Sequence, residues 1–125
     1  MEPNNKMTNA ESKLAELIWE NEPIMSMALV RLASEAVGWS KSTTFTHLKA
    51  LVEKGHTKNE SSRITMSYSR EQYAAKQSCR FVDDIFGGSL PMFVASFTKN
   101  RKLDPEQVAQ LKRLIDEFDT GGANE

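Results

Sequence analysis

The 125-residue chain has one cysteine, Cys79, and only two histidines, His47 and His56. A lone thiol excludes an internal disulfide framework and any multi-cysteine metal site. His47, His56 and Cys79 lack the close-spaced ligand pair of a zinc site, so no metal and no cofactor is expected, and both histidines are assigned to a surface or groove role. No apolar run approaches the ~20 residues that span a bilayer, so no membrane association is expected. The opening MEPNNKMTNAESK has no signal-peptide core, and the expected location is cytoplasmic. There is no glycine-rich phosphate loop either. Residues 86–89, FGGS, follow a helical pattern rather than a strand, which makes them a helix break. Hydroxyls and acids are scattered without a nucleophile–histidine–acid arrangement, and an enzyme is not expected. Charge of one sign is also lacking: the net is −1, which by itself does not indicate a nucleic-acid partner.

The charge that is present is unevenly placed. Residues 1–37 carry six acids and three bases, whereas residues 38–63 carry five bases (Lys41, Lys49, Lys54, Lys58, Arg63) and two acids. The basic stretch coincides with the most distinctive part of the chain.

Periodicity organises the rest. Thr8 and Glu11 have the spacing of a capping box, and Leu14, Leu17 and Ile18 recur at helical intervals until Pro23. Ser26 is expected to cap a second helix, ending at Gly38. Ser40 is expected to cap a third, with Thr44, Leu48, Leu51 and Val52 inward and Gly55 closing it. Three short helices with tight connections suggest a helix-turn-helix. "HTKNE" and "RITMSY", separated by "SS", suggest a small hairpin. Three more helices follow: 70–86, a short one beginning near Leu90, and one opened by Asp104-Pro105. The order expected from the pattern is mostly α: three helices, a small β-hairpin, then three helices.

The third helix has an unusual outer face. Ser42, Thr43, Thr46 and Lys49 point away from the core direction, where an ordinary solvated helix carries Glu and Lys. Short hydroxyls let a helix approach the major groove closely, donate to phosphates and meet base edges. Thr43, Thr46 and His47 are therefore the candidate base readers. Ser40, Lys41, Ser42, Lys49, Lys58 and Arg63 are the candidate phosphate contacts. The second half is apolar for its size. Phe81, Ile85, Phe86, Leu90, Phe93, Phe97, Leu111, Ile115 and Phe118 are the candidate dimer contacts, because so small a segment rarely buries such bulk alone. The alternative is that it packs on the first half.

"GWSKSTTFTHLKALVEKG", the later "SREQY", and "FVDDIFGGSL" resemble the penicillinase-repressor family (the BlaI/MecI group with its copper-responsive CopY branch) over about Thr8 to Phe118. Trp19, Trp39-Ser40, Thr43, Thr46, Lys54-Gly55 and Phe86 to Leu90 carry the resemblance. It implies a bacterial winged-helix repressor, a homodimer on a palindromic DNA operator. The fold class it implies is mostly α, an N-terminal winged helix-turn-helix with a small β-hairpin wing, then a C-terminal helical dimerisation region. The expected division is residues 8–69 for DNA binding and 70–118 for dimerisation, with 1–7 and 119–125 as flexible tails. The chain departs from the family pattern at His47, usually apolar, and Ala50, usually arginine. Residues 56–68 are about three shorter than usual. Antibiotic-responsive members are inactivated by cleavage of an Asn-Phe bond, and here the matching pair is Ser96-Phe97, so that induction is not expected. Copper-responsive members carry a C-terminal cysteine cluster that this chain lacks. The inducer is left open. Two rival readings remain: a winged-helix protein-interaction module, and a small-molecule-responsive regulator with weakened DNA binding.

Overall fold

Thr8 opens α1 (Asn9–Asn21) through a reciprocal pair of bonds. Its hydroxyl accepts the Glu11 N–H at 3.1 Å, and the Glu11 carboxylate accepts the Thr8 N–H at 3.0 Å. α1 stops before Pro23, as the sequence implies. In this computed structural model residues 5–123 are described, with side chains through Asp119. A two-residue strand, β1 (Ile24–Met25), leads into α2 (Ser26–Val37). Gly38 ends α2 at φ 71°, a left-handed cap whose N–H returns to Ala33 and Ser34 carbonyls. α3 (Lys41–Glu53) is capped by Ser40, which accepts the Thr43 N–H. β2 (Thr57–Glu60) and β3 (Arg63–Met66) form the hairpin, and β1 adds to β3 on the far side, giving an antiparallel sheet of order β1-β3-β2. α4 (Arg70–Phe86), α5 (Leu90–Asn100) and α6 (Pro105–Ala123) complete the described chain. The protein is a mostly-α winged helix with a small β wing.

The chain divides into two compact units, Met1–Ser78 and Cys79–Glu125. In the first, Leu14, Ile18, Leu29, Leu51 and Ile64 are fully buried, each contributing roughly 1.5–3 kcal/mol through lost apolar exposure. In the second, none of the described residues is buried. Phe86 and Phe93 lie 5.6 Å apart between ring centres, and Phe81 and Phe97 extend this cluster.

Several expectations are corrected. Ser26 is not a cap: it is the first helical residue, buried, with its N–H bonded to the Ser62 carbonyl at 2.8 Å. The bond continues the β1–β3 pairing and satisfies one of the free N–H groups of the first turn. Val52 lies outside the inward stripe at 37% exposure, because the core direction falls between Leu48 and Leu51. Tyr73, on α4, packs against the core of the first compact unit. The expected tails cover residues 1–7 and 119–125. Met7 is buried and its N–H bonds the Tyr73 hydroxyl at 2.8 Å, and helix α6 continues through Ala123. Residues 1–4 and 124–125 of those tails lie outside the described residues.

Candidate nucleic-acid interface

The turn between α2 and α3 is built from Gly38, Trp39 and Ser40. The left-handed φ at Gly38 reverses the chain at little steric cost. Ser40 then ties the first turn of α3 together. Its hydroxyl lies 3.0 Å from the Thr43 hydroxyl and 3.3 Å from that of Ser42, and its carbonyl accepts the Thr44 hydroxyl at 3.0 Å. Thr44 is thus fully buried yet satisfied. Thr46, one turn on and exposed, donates its hydroxyl to the Ser42 carbonyl at 2.9 Å. That leaves its methyl and its oxygen lone pairs facing outward.

The structure brings Ser42, Thr43, Thr46, Lys41 and Lys49 onto the outer side of one helix, all exposed except half-buried Thr43. His47 is half-buried and leans on Trp39, with ring centres 4.8 Å apart. Trp39 itself packs on the core.

Lys58 and Arg63 sit on the wing and are exposed. Register decides their face: Lys58 pairs with Thr65, and Arg63 with Glu60 and Met25. Direct partners share a face, so Lys58, Glu60, Arg63 and Thr65 line the outer side, while Thr57, Ile64 and Met66 line the inner one. An acid therefore stands directly across from Arg63. The hairpin turn is only Ser61-Ser62, both at positive φ (53° and 70°), with the Asn59 side chain accepting the Ser62 N–H at 3.0 Å. Positive φ at both turn residues is the type I′ requirement.

Of the five bases between residues 38 and 63, Lys54 is committed to the fold. Its ammonium contacts the Glu11 carboxylate at 2.7 Å and the Lys6 carbonyl at 3.2 Å. Burial pushes the Glu11 carboxyl upward, but the bonds from Lys54 and the Thr8 N–H outweigh it and hold the group below its ordinary 4.5. The other four bases remain on exposed surface.

His56 is the clearest departure from the expected surface or groove placement: it is 1% exposed. Its ring meets the Tyr68 hydroxyl and the Asn5 carbonyl. Burial lowers its pKa from the usual 6.5, against the Asn5 carbonyl, which raises it. Reading the sequence missed this role because both partners are supplied by distant segments. Among the described residues no cluster of three or more His, Cys, Asp or Glu could hold a metal ion, and no helix is long and apolar enough to cross a membrane.

Residues 7–117 match the family model described as penicillinase repressor. The chain belongs to the penicillinase repressor family. The match covers the three helices, the wing, α4, α5 and the larger part of α6, so the helix-turn-helix just described lies wholly within it. Family membership points to a DNA-binding transcriptional repressor, and its members are regulators rather than enzymes. No individual curated protein matches the chain.

Proposed function

We propose that the protein is a sequence-specific transcriptional repressor, acting in the cytoplasm as a homodimer on a palindromic operator. The observation that carries this is the outer face of α3, an exposed row of hydroxyls and lysines on the second helix of a helix-turn-helix. Such a helix fits the major groove, about 12 Å wide. Thr43, Thr46 and His47 read base edges. Thr46, its proton already given to Ser42, accepts from an adenine or cytosine amine or sets its methyl against thymine. Ser40, Lys41, Ser42, Lys49, Lys58 and Arg63 contact phosphates, and the free N–H groups at the start of α3 favour one there.

The second unit supplies the dimer. Phe81, Ile85, Leu90, Phe97, Leu111, Ile115 and Phe118 are exposed, the last at 77%, and Phe86 and Phe93 are half-buried among them. A cavity of about 380 Å³ between α5 and α6, lined by Phe93, Phe97, Leu103, Leu111 and Leu114, is part of this apolar surface. A second copy covers it, since monomers rarely leave such continuous apolar area in water. A palindromic operator then mirrors the two-fold axis of the dimer.

Titration of a duplex taken from upstream of the protein's own gene tests the reading. Specific binding is expected, with log affinity falling linearly with log salt and a slope set by the phosphates neutralised. The rival is a protein-interaction module, favoured by one observation, that Glu60 faces Arg63 across the wing. Absent binding, or binding no tighter to that duplex than to random DNA, would support that rival.

A further inference from the structure

The joint between α3 and the wing encloses a titratable group that DNA reading does not use. His56 follows α3 directly. Its N–H bonds the Leu51 carbonyl at 2.9 Å and its carbonyl accepts the Ser67 N–H at 2.9 Å, so its backbone fastens the helix end to the base of the hairpin. Its ring is fully enclosed. The Asn5 carbonyl can only accept, so Nε2 carries the ring proton and Nδ1 is left to accept from the Tyr68 hydroxyl. In this arrangement the neutral imidazole has both nitrogens partnered and the Tyr68 hydroxyl proton is used as well.

The ring touches Asn5, Tyr68 and Tyr73, and the two tyrosines carry the connection further. Tyr68 and Tyr73 stack in parallel with centres 6.0 Å apart, and His56 meets both edge-on at 5.8 and 5.5 Å. The Tyr73 hydroxyl accepts the Met7 N–H, which, with the Asn5 bond, straps residues 5–7 onto the joint. The Tyr68 carbonyl accepts the Trp19 indole N–H at 2.9 Å, which ties in α1. The charged groups facing His56 are Lys54 at the end of α3, Lys76 on α4 and Glu11 on α1. The two lysines oppose a proton on the ring. Glu11 favours one but is already engaged by Lys54.

We propose that His56 is a proton-sensitive latch at the root of the wing, closed when neutral, whose protonation loosens the strap and the hairpin base and thereby releases DNA in acid. Protonated Nδ1 becomes a donor, so the Tyr68 hydroxyl must turn to accept and its own proton loses its partner. An imidazolium would also be enclosed with two lysines nearby. The direction is set by linkage. Burial keeps the closed-state pKa below 6.5, so the opened form takes up the proton first. The latch is therefore closed above about pH 6.5 and loses ground as pH falls below it. The DNA consequence rests on reading α3 and the wing as the binding surface.

Trp19 reports the latch, because its indole bonds Tyr68. The free full-length chain carrying Trp39→Phe is titrated from pH 8 to 5 by tryptophan emission, alongside the ring C–H resonances of the two histidines. His56→Gln offers an amide N–H to Asn5 and an amide oxygen to Tyr68, and does not titrate. The expected result is one Trp19 transition below pH 6.5, coincident with the His56 resonance and absent in His56→Gln. In the second arm, the unmodified chain should lose affinity for the upstream duplex several-fold between pH 7.5 and 5.5 relative to His56→Gln, bounded by about tenfold per pH unit for one proton. A flat Trp19 signal, the same transition in His56→Gln, or a His56 resonance titrating at 6.5 or above overturns the latch. If His56→Gln does not fold, coincidence of the histidine and Trp19 titrations in the titrated chain decides. DNA binding with equal pH dependence in both chains overturns the coupling to DNA. Absence of binding at every pH counts against the repressor reading, while the fluorescence and resonance arm still decides the latch.

Discussion

Thr46 and Lys58 separate the two ways a side chain can serve this interface. Thr46 is exposed with its hydroxyl proton directed to the Ser42 carbonyl, so what it offers outward is a lone pair and a methyl. Thr46→Ala is expected to lose about 1–3 kcal/mol on the operator and less on random duplex. Lys58→Ala is expected to weaken both alike and to lower the salt slope by about one. Fluorescence anisotropy at several salt concentrations measures both, and identical behaviour on every duplex would refute the division of roles. Glu11 works in the opposite sense, for the fold alone. Its carboxyl is held below 4.5, so the folded chain keeps the charge longer than the unfolded one as pH falls. Its contribution is complete above pH 4.5 and is lost as pH drops through the lower folded value. Denaturant midpoints measured from pH 6 to 3 should therefore fall less steeply below 4.5 in Glu11→Gln than in the native chain. At this scale the capping box and the Ser40 cap were legible, because three residues of spacing contain the whole interaction. Glu11's second partner, Lys54, was not, because 43 residues separate them.

The wing and α5 carry the element-scale predictions. Ser61 and Ser62 hold positive φ without being glycine or asparagine, a conformation unfavourable by about 1 kcal/mol or more for a residue with a Cβ. Replacing the pair by Asn-Gly is expected to raise unfolding stability by about 0.5–1 kcal/mol, read from urea melts, with the hairpin register unchanged. A loss of stability would mean that the serine hydroxyls matter more than the turn. Ser96-Phe97 lies within α5, not in a loop. A protease needs the chain extended, so cleavage there requires the helix to open first. The serine also lacks the amide that a site built for asparagine would bond. Immunoblots of the native host before and after β-lactam exposure should show the intact chain. A fragment ending near residue 96, together with derepression, would sink this expectation. The helix boundaries were readable from periodicity and stop signals, whereas β1 was not. Two residues carry no period, and Ile24-Met25 is a strand only because β3 pairs with it.

For the whole molecule the expected state is a dimer at micromolar concentration, with light scattering giving twice the 14.1 kDa of one chain. The surface that drives it is the exposed apolar set of α4–α6, and a pair of charges there should undo it. Ile115→Lys with Phe118→Lys is expected to give a monomer whose first unit remains folded, since neither residue belongs to the core of that unit. DNA affinity should then fall sharply, because two linked half-site contacts become one. A monomeric native chain in light scattering would end the dimer reading.

The elements, the hydroxyl face of α3 and the apolar excess of the second half follow from patterns no longer than a few helical turns. Propensity, capping and spacing act at that range, and so they can be read along the chain. Contacts between distant segments are invisible there. Only the folded chain places Asn5 against His56, 51 residues away, and the Trp19 indole against the Tyr68 carbonyl, 49 residues away. Register is of the same kind. Whether Arg63 faces Glu60 or Lys58 across the wing depends on the two-residue turn, and the ladder alone sets an acid opposite that base. A histidine is the same residue in a groove or a core. Its surroundings decide which proton it keeps, and those surroundings are assembled by the tertiary fold.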